Sequence, residues 1–305
     1  MKAVVLAGGR GSRLMPLTDD MPKPLLPVAG YPILDYIAAQ LKYYRVEEQI
    51  LTLGYKAARI VAHAASYSGI KTVCRTEREP LGTCGSVKSV EDLLSETFLV
   101  LSGDCISDIN LARLVRAHAE GGAEITVAVG TADDPSMYGV AETGSDGKIT
   151  AFYEKPGSDK YGNMVNLGVY AVSKSVLSEV PEGRAYDFSS DLFPRLIGRR
   201  KLGAYRHDGY WSDLGSIKSY YEANRLFLGG YEYPFGEVGG GTMRKQGTNV
   251  VSRSAKLYGS AGGCVICGGS VIGRGATLTD CVVLDGEVKG AHFRRIIKNG
   301  VFVDV

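Results

Sequence analysis

At 305 residues the chain is long enough to bury a substantial core, as one large domain with an appendage or as two domains. A net charge of +2 makes no case for a nucleic-acid partner, and no run approaches the ~18 apolar residues that span a bilayer. The opening M-K-A-V-V-L-A-G-G carries no secretory signal, and six dispersed cysteines suit a reducing compartment, so a cytoplasmic location is expected.

Over the first ~228 residues, short Val/Ile/Leu runs alternate with helical patterns, the rhythm of a βαβ chain with a mainly parallel sheet. Strands are expected over Ala3 to Leu6, Gln49 to Leu53, Thr72 to Cys74, Phe98 to Leu101 and Ile125 to Val129. Helices are expected over Ile33 to Tyr44, Lys56 to Ala64, Ser86 to Leu94 and Leu111 to Ala119. After Gly130 the strands become shorter and look antiparallel: Gly139 to Glu142, Lys148 to Tyr153 and Val165 to Val172. A last helix, Ile217 to Leu228, carries Ile217, Tyr221 and Leu228 toward the sheet, with Ser216 as its cap.

Residues 229–249 are rich in Gly with one Pro and little periodicity, the marks of a linker. Beyond Asn249 an aliphatic residue recurs about every six positions (Ile272, Leu278, Leu284). That period suits a parallel β-helix whose hexapeptides each form one face of a triangular coil. Fewer than three coils fit, so the expected cap needs the main domain or another subunit to cover its ends. The chain thus reads as a catalytic domain over 1–228, a linker over 229–249 and a short β-helix over 250–305. Within the last, Cys264 and Cys267 form one C-x-x-C, a weak metal signal; the glycine-rich, aliphatic surroundings favour burial of small thiols.

Two stretches near the start carry charge chemistry. The first strand runs out into Gly8-Gly9-Arg10-Gly11-Ser12-Arg13, where several backbone N–H groups can converge on an anion. It is neither a dinucleotide fingerprint nor a Walker loop, and by itself it reads as a phosphate cradle or as a tight turn. Arg13 favours the phosphate, because guanidinium meets it in bidentate fashion. Next, Met21-Pro22-Lys23-Pro24 flanks a lysine with prolines, which should hold the backbone extended and display Lys23 rigidly.

The span L-A-G-G-R-G-S-R-L-M-P-L-T-D-D-M-P-K-P resembles the opening of the sugar-1-phosphate nucleotidyltransferases, or NDP-sugar pyrophosphorylases. The resemblance implies an α/β fold: a Rossmann-like mixed, mainly parallel sheet flanked by helices (nucleotidyltransferase type A), followed by a short left-handed parallel β-helix. It implies that Leu6, Ala7, Gly8, Gly9, Gly11 and Ser12 bind the nucleotide, and that Arg13, Lys23 and Asp104 are catalytic. Leu101-Ser102-Gly103-Asp104 and Tyr210-Trp211-Ser212-Asp213-Leu214-Gly215 match the family's G-D and W-x-D-[I/L/V]-G, which implies that Asp104 and Asp213 hold Mg²⁺. Gly139 of Tyr138-Gly139, Glu154 and Lys155 of E-K-P, and Asn166 of N-L-G-V-Y match the sugar-phosphate site, with Leu167 where the family usually has a small residue. Phe188-Ser189-Ser190-Asp191 matches a motif that orders the pocket wall, with Ser189 in place of Glu.

Such a reaction needs no protein nucleophile, and the four scattered histidines are assigned no chemistry. Glu77-Arg78-Glu79-Pro80-Leu81-Gly82 resembles the base-binding segment of mannose-1-phosphate guanylyltransferases, with Glu77 and Gly82 as nucleotide contacts. A carboxylate only accepts hydrogen bonds, and guanine offers adjacent N1–H and N2–H donors. The expectation is therefore GTP and mannose 1-phosphate as substrates, giving GDP-mannose and pyrophosphate, with no nucleic acid or membrane partner. A homo-oligomer is expected from the open β-helix end. The alternatives are a thymidylyl- or uridylyltransferase acting on glucose 1-phosphate, and a non-catalytic NDP-sugar-binding subunit, which should have lost a residue such as Arg13, Lys23 or Asp104.

Overall fold

All five apolar runs of the N-terminal half enter one nine-stranded sheet. They are β1 (Lys2–Ala7), β2 (Glu48–Leu53), β3 (Lys71–Thr76), β4 (Thr97–Ser102) and β5 (Ile125–Thr131). Then come β6 (Gly139–Thr143), β7 (Ile149–Glu154), β8 (Met164–Ser173) and β9 (Leu202–Arg206). The computed structural model describes Met1–Val305 and divides them into two compact units. The first is Met1–Gly9 with Gln40–Trp211; the second is Arg10–Ala39 with Ser212–Val305. The helices are α1 (Ile33–Tyr43), α2 (Ala57–Ala64), α3 (Gly82–Lys88), α4 (Leu111–Gly121), α5 (Phe193–Gly198) and α6 (Ile217–Leu228), none long and apolar enough to cross a membrane.

In the first unit the sheet order is β7-β6-β8-β4-β1-β2-β3, with β5 between β8 and β9. Strands β1 to β4 are mutually parallel, with β1 central between β2 and β4. The buried runs of β1, β2 and β4 fit a sheet covered on both faces, whereas β3, at the edge, is only partly buried. The β8 strand runs antiparallel to β4 and β5, as the chain order suggests. At ten residues, however, β8 is the longest strand rather than a short one. The unexpected β9, Leu-Gly-Ala-Tyr-Arg, pairs parallel with β5; its glycine leaves no alternating apolar signal to read. At the start of the sheet Lys2, Glu48 and Lys71 stand side by side on β1, β2 and β3, and both lysines lie 2.9 Å from the buried Glu48 carboxylate. One helix differs from its sequence pattern: residues 86–94 point to Ser86 as the start, but α3 begins four residues earlier at Gly82 and ends at Lys88. The shift follows from Gly82, whose left-handed φ of +70° bends the chain into the first turn.

The second unit joins two segments far apart in sequence. Helix α6 starts at a capping box in which Ser216 and Ser219 exchange bonds, as expected of Ser216. Its buried residues are Tyr220, Tyr221, Ala223 and Asn224, whereas the expected Ile217 and Leu228 stay half-exposed. Within the unit the Tyr220 hydroxyl donates to the Pro27 carbonyl, and the Asn224 side chain accepts the Ala29 N–H at 2.9 Å. Residues 229–241 contain no helix or strand beyond one short turn, yet Tyr233 packs edge-on against Tyr36 at 5.1 Å and Phe235 is buried.

The C-terminal region is a parallel β-helix. One face stacks β11 (Asn249–Ser252), β14 (Val265–Ile266), β17 (Val282–Val288) and β19 (Arg295–Lys298). A second stacks β12 (Lys256–Leu257), β15 (Ser270–Ile272) and the end of β17; a third stacks β13 (Ser260–Gly262), β16 (Thr277–Thr279) and β18 (Ala291–Phe293). Val250, Val265, Val282 and Ile296 align, so this face holds four rungs, one coil more than the period suggests. The coils fit because each is shorter than three full hexapeptides. Both ends reverse direction: β10 (Met243–Gln246) pairs antiparallel with β11, and β20 (Val301–Asp304) with β19. The rungs on that face are therefore flanked by the chain's own strands, and exposed apolar side chains concentrate at Phe293, Val301 and Phe302. Cys264 and Cys267 are buried in the β-helix, in line with simple thiol packing.

Candidate active site

Three parallel strands of the first unit end together. Gly103 N–H donates to the Leu6 carbonyl at 2.9 Å, and a Cβ on Gly103 would lie 2.7 Å from that oxygen. Gly54 is as tight: a Cβ there would lie 2.8 Å from the Gly8 carbonyl. Only glycine lets these ends touch, and the contact sets Asp104 just beyond β4 beside the Leu6–Gly9 exit from β1. Gly9 itself faces open space, where a Cβ would meet nothing within 4 Å. The carboxyl ends of parallel strands are where α/β sheets bind ligands.

Glu77 follows β3 and starts the segment expected to meet the base. Its Oε2 accepts the Leu81 N–H at 3.3 Å, while its buried Oε1 has no hydrogen-bond partner. The segment is locked from behind by residues that carry no signal in the sequence. Tyr186 accepts the N–H groups of Cys84 and Gly85, both at 2.9 Å, and its own N–H donates to the Leu81 carbonyl at 2.9 Å. Asp187 Oδ1 takes the N–H and hydroxyl of Thr83 at 2.8 and 2.9 Å. A Cβ on Gly82 would meet the Tyr186 carbonyl at 2.8 Å, so this position requires glycine. Asp191 in turn accepts the Asp187 N–H at 2.7 Å, so the Phe188–Asp191 motif braces the Glu77–Gly82 segment through Asp187.

The expected sugar-phosphate residues divide into two groups within the same unit. Glu154 and Lys155 end β7 as an exposed ion pair of 3.1 Å, and the Lys155 N–H donates to the Tyr138 carbonyl at 3.1 Å. A Cβ on Gly139 would lie 3.1 Å from Glu154 Oε2, which places this glycine beneath the carboxylate. Asn166 stands at an irregularity in β8 and bonds locally: its Nδ2 donates to the Tyr170 hydroxyl, and its Oδ1 accepts the Gly168 N–H, both at 2.9 Å. Leu167 is buried, lines a cavity of about 220 Å³ with Gly130, His207 and Trp211, and accepts the Trp211 indole N–H at 2.9 Å through its carbonyl. Trp211 meets Tyr138 edge-on at 5.3 Å.

Arg13 and Lys23 belong to the second unit. Gly11 takes the left-handed conformation (φ +64°) and opens a tight turn, Ser12–Leu14, that holds Arg13. Leu14 and Leu17 are buried anchors, and the Thr18 hydroxyl donates to the Gly11 carbonyl at 3.0 Å. Lys23 is not displayed on an extended strand as its prolines suggest. It begins a short 3-10 turn, Lys23–Leu25, is 4% exposed, and donates its Nζ to the Asp213 carbonyl at 2.6 Å. The reason is that Pro24 falls in the first turn, where its missing N–H costs nothing. A Cβ on Gly11 would sit 2.9 Å from Lys23 Cβ, so the glycine turn and the lysine pack together.

Asp213 completes this cluster. Its Oδ1 accepts the Gly215 N–H at 3.1 Å, and its Oδ2 lies 3.9 Å from the half-exposed Arg13 guanidinium. No group of three or more His, Cys, Asp or Glu side chains is arranged to hold a metal. Asp104, in the first unit, and Asp213, in the second, each offer hard carboxylate oxygens, the donor type that Mg²⁺ takes while phosphate oxygens and water fill the rest of its shell.

The nucleotidyl transferase family pattern matches residues 2–229. A mannose-1-phosphate guanylyltransferase of Mycobacterium tuberculosis is 32% identical over 291 residues, covering 94% of this chain and 79% of the relative. A UTP–glucose-1-phosphate uridylyltransferase of Synechocystis is 30% identical over 246 residues, covering 75% of this chain and 63% of its own length. Among solved structures, a putative glucose-1-phosphate thymidylyltransferase of Bacillus anthracis in complex with a sucrose superposes with a TM-score of 0.68 at 27% identity, over 74% of this chain and 94% of that one. HddC of Yersinia pseudotuberculosis complexed with GMP-PN gives 0.65 at 27% identity, over 74% and 99%. With the glycine-bounded strand ends, the Arg13–Lys23–Asp213 cluster and these likenesses together, the chain belongs to the nucleotidyl transferase family, as a sugar-1-phosphate nucleotidyltransferase.

Proposed function

We propose that this enzyme transfers GMP from GTP to mannose 1-phosphate, forming GDP-mannose and pyrophosphate. The observation that carries the choice of base is the Glu77 carboxylate, with one oxygen on the Leu81 N–H and the other buried without a partner. An acceptor that is costly to leave unpaired suits the N1–H and N2–H donors of guanine. The relative at 32% identity bears the matching name.

In this reading a phosphate oxygen of the sugar 1-phosphate attacks the α-phosphorus in line and pyrophosphate departs. The work of the chain is positioning and charge neutralisation. Leu6 to Gly9, with Gly11 and Ser12, offer backbone to the triphosphate; Arg13 and Lys23 hold the charge that accumulates on pyrophosphate. Lys155 orients the attacking phosphate, and Glu154 accepts from sugar hydroxyls beside Gly139. Asn166 supports the same subsite through the β8 irregularity that it bonds. Asp104 and Asp213 would ligate Mg²⁺, which when bound draws charge from the triphosphate. On this reading residues 1–228 carry the catalytic machinery, 229–249 link, and 250–305 form the β-helix. The exposed Phe293 and Phe302 support a homo-oligomer.

Pyrophosphate release measured across four NTPs and a panel of sugar 1-phosphates tests the reading. Turnover should be highest with GTP and mannose 1-phosphate in Mg²⁺. Preference for UTP or dTTP with glucose 1-phosphate would overturn the substrate choice, and no turnover with any pair would overturn the catalytic roles.

A further inference from the structure

The last β-helix strand buries a lysine that the reaction scheme does not use. Lys298 ends β19, and its side chain is 7% exposed. A buried ammonium is costly unless it is paired and fully hydrogen-bonded. Its partners both lie in the turn after Arg13, some 280 positions away: Nζ donates to the Leu17 carbonyl at 2.7 Å and ion-pairs with the Asp20 carboxylate. The lysine's backbone is itself fixed, since β19 lies between β17 and β20.

What Lys298 grips is the frame of the catalytic turn. Leu17 N–H donates to the Leu14 carbonyl at 2.9 Å, and Leu14 N–H to the Gly11 carbonyl at 3.0 Å. Thr18, next to Leu17, closes the loop on the same Gly11 carbonyl at 3.0 Å. Arg13 lies inside this ring of bonds. We propose that Lys298 is a positioning residue for nucleotidyl transfer: by clamping Leu17 and Asp20, the β-helix holds the turn that aims Arg13. This rests on the catalytic role proposed for Arg13. The β-helix is thereby a working part of the transferase and not only a cap.

Steady-state kinetics on the full chain test this, with Lys298→Met, Lys298→Arg, Asp20→Asn and, as a control on the same strand, Arg295→Ala. Lys298→Met should lower kcat roughly tenfold, the scale of a sub-ångström misplacement, with KM for the sugar phosphate within about twofold. Lys298→Arg should recover most of the loss, and Arg295→Ala should match the unmodified enzyme. Asp20→Asn alters a half-exposed carboxylate and reports on the clamp if Lys298→Met fails to fold; it should show a smaller loss with the same split. Unchanged kcat in Asp20→Asn and in folded Lys298→Met, with only the melting temperature lowered, would make the contact purely structural and overturn the proposal. Arg13→Ala distinguishes the premise. If it keeps full kcat the role of Arg13 fails and the clamp's purpose with it; if it loses kcat while the clamp variants do not, the clamp alone fails.

Discussion

Gly215→Ala isolates the geometry of the Asp213–Arg13 pair. A Cβ at 215 would lie 2.3 Å from Asp213 Oδ2 and 3.1 Å from Arg13 Nη2. Ordinary contacts start near 3.4 Å, so the carboxylate must retreat by about 1 Å. A displacement of that size costs on the order of 100-fold in turnover, equivalent to about 2.7 kcal/mol of transition-state stabilisation. The backbone at 215 lies outside the left-handed region, so alanine adds no strain of its own there. The stability cost is limited to the Gly215 N–H bond on Oδ1 (3.1 Å), roughly 1 kcal/mol or a few degrees in Tm. Pyrophosphate release at saturating substrates reads the first effect, and a thermal melt the second. Turnover within threefold of the parent, in a folded variant, would refute the argument that Asp213 must stand where Gly215 lets it.

Asp104→Asn should cut turnover by about 100-fold or more without altering the melt, with partial recovery at high Mg²⁺; a rate insensitive to the change at every Mg²⁺ concentration would remove Asp104 from the metal. Glu77→Gln should lower the GTP-over-UTP ratio of kcat/KM by about 10- to 100-fold, the range of a bidentate base contact, and an unchanged ratio would end the guanine assignment. Burial pushes the Glu48 carboxyl up, but hydrogen bonds from Lys2 and Lys71 outweigh it and hold its pKa below the usual 4.5. A depressed native pKa makes this contribution fully present above about 4.5 and lost as pH falls through the native value. Lys71→Met should therefore flatten the acid limb of a Tm-against-pH curve while also lowering the plateau; an acid limb as steep as the parent's would contradict it.

The sheet is largely legible in the sequence because its central strands are buried on both faces and write themselves as apolar runs, as at Val4–Val5 and Phe98–Leu101. The start of α3 is not, since Gly82 reads as a breaker until its packing against Tyr186 is known. Lys23 stands out through P-K-P, but its burial is hidden, because nothing local signals a bond to the Asp213 carbonyl 190 positions away. Tyr186 and Asp187 escape notice for the same reason: Tyr186 works through its backbone and Asp187 through its carboxylate, both on residues some hundred positions earlier. The β-helix period is visible, whereas the number of coils is not, because Val265 to Val282 and Val282 to Ile296 depart from any fixed spacing.

The pairing of Arg10–Ala39 with Ser212–Val305 in one unit has a consequence for how the enzyme is born. Leu17 leaves the ribosome 281 residues ahead of the lysine that clamps it. At about 5–20 residues per second, that is roughly a quarter of a minute to a minute of synthesis. The sheet of the first unit has most of its strands in hand well before then, while the turn bearing Arg13 waits for the end of the chain. A product terminated before Lys298 therefore lacks the clamp on the turn that bears Arg13. On the role proposed for Lys298, competence for nucleotidyl transfer arrives late in translation, only once the β-helix has been made.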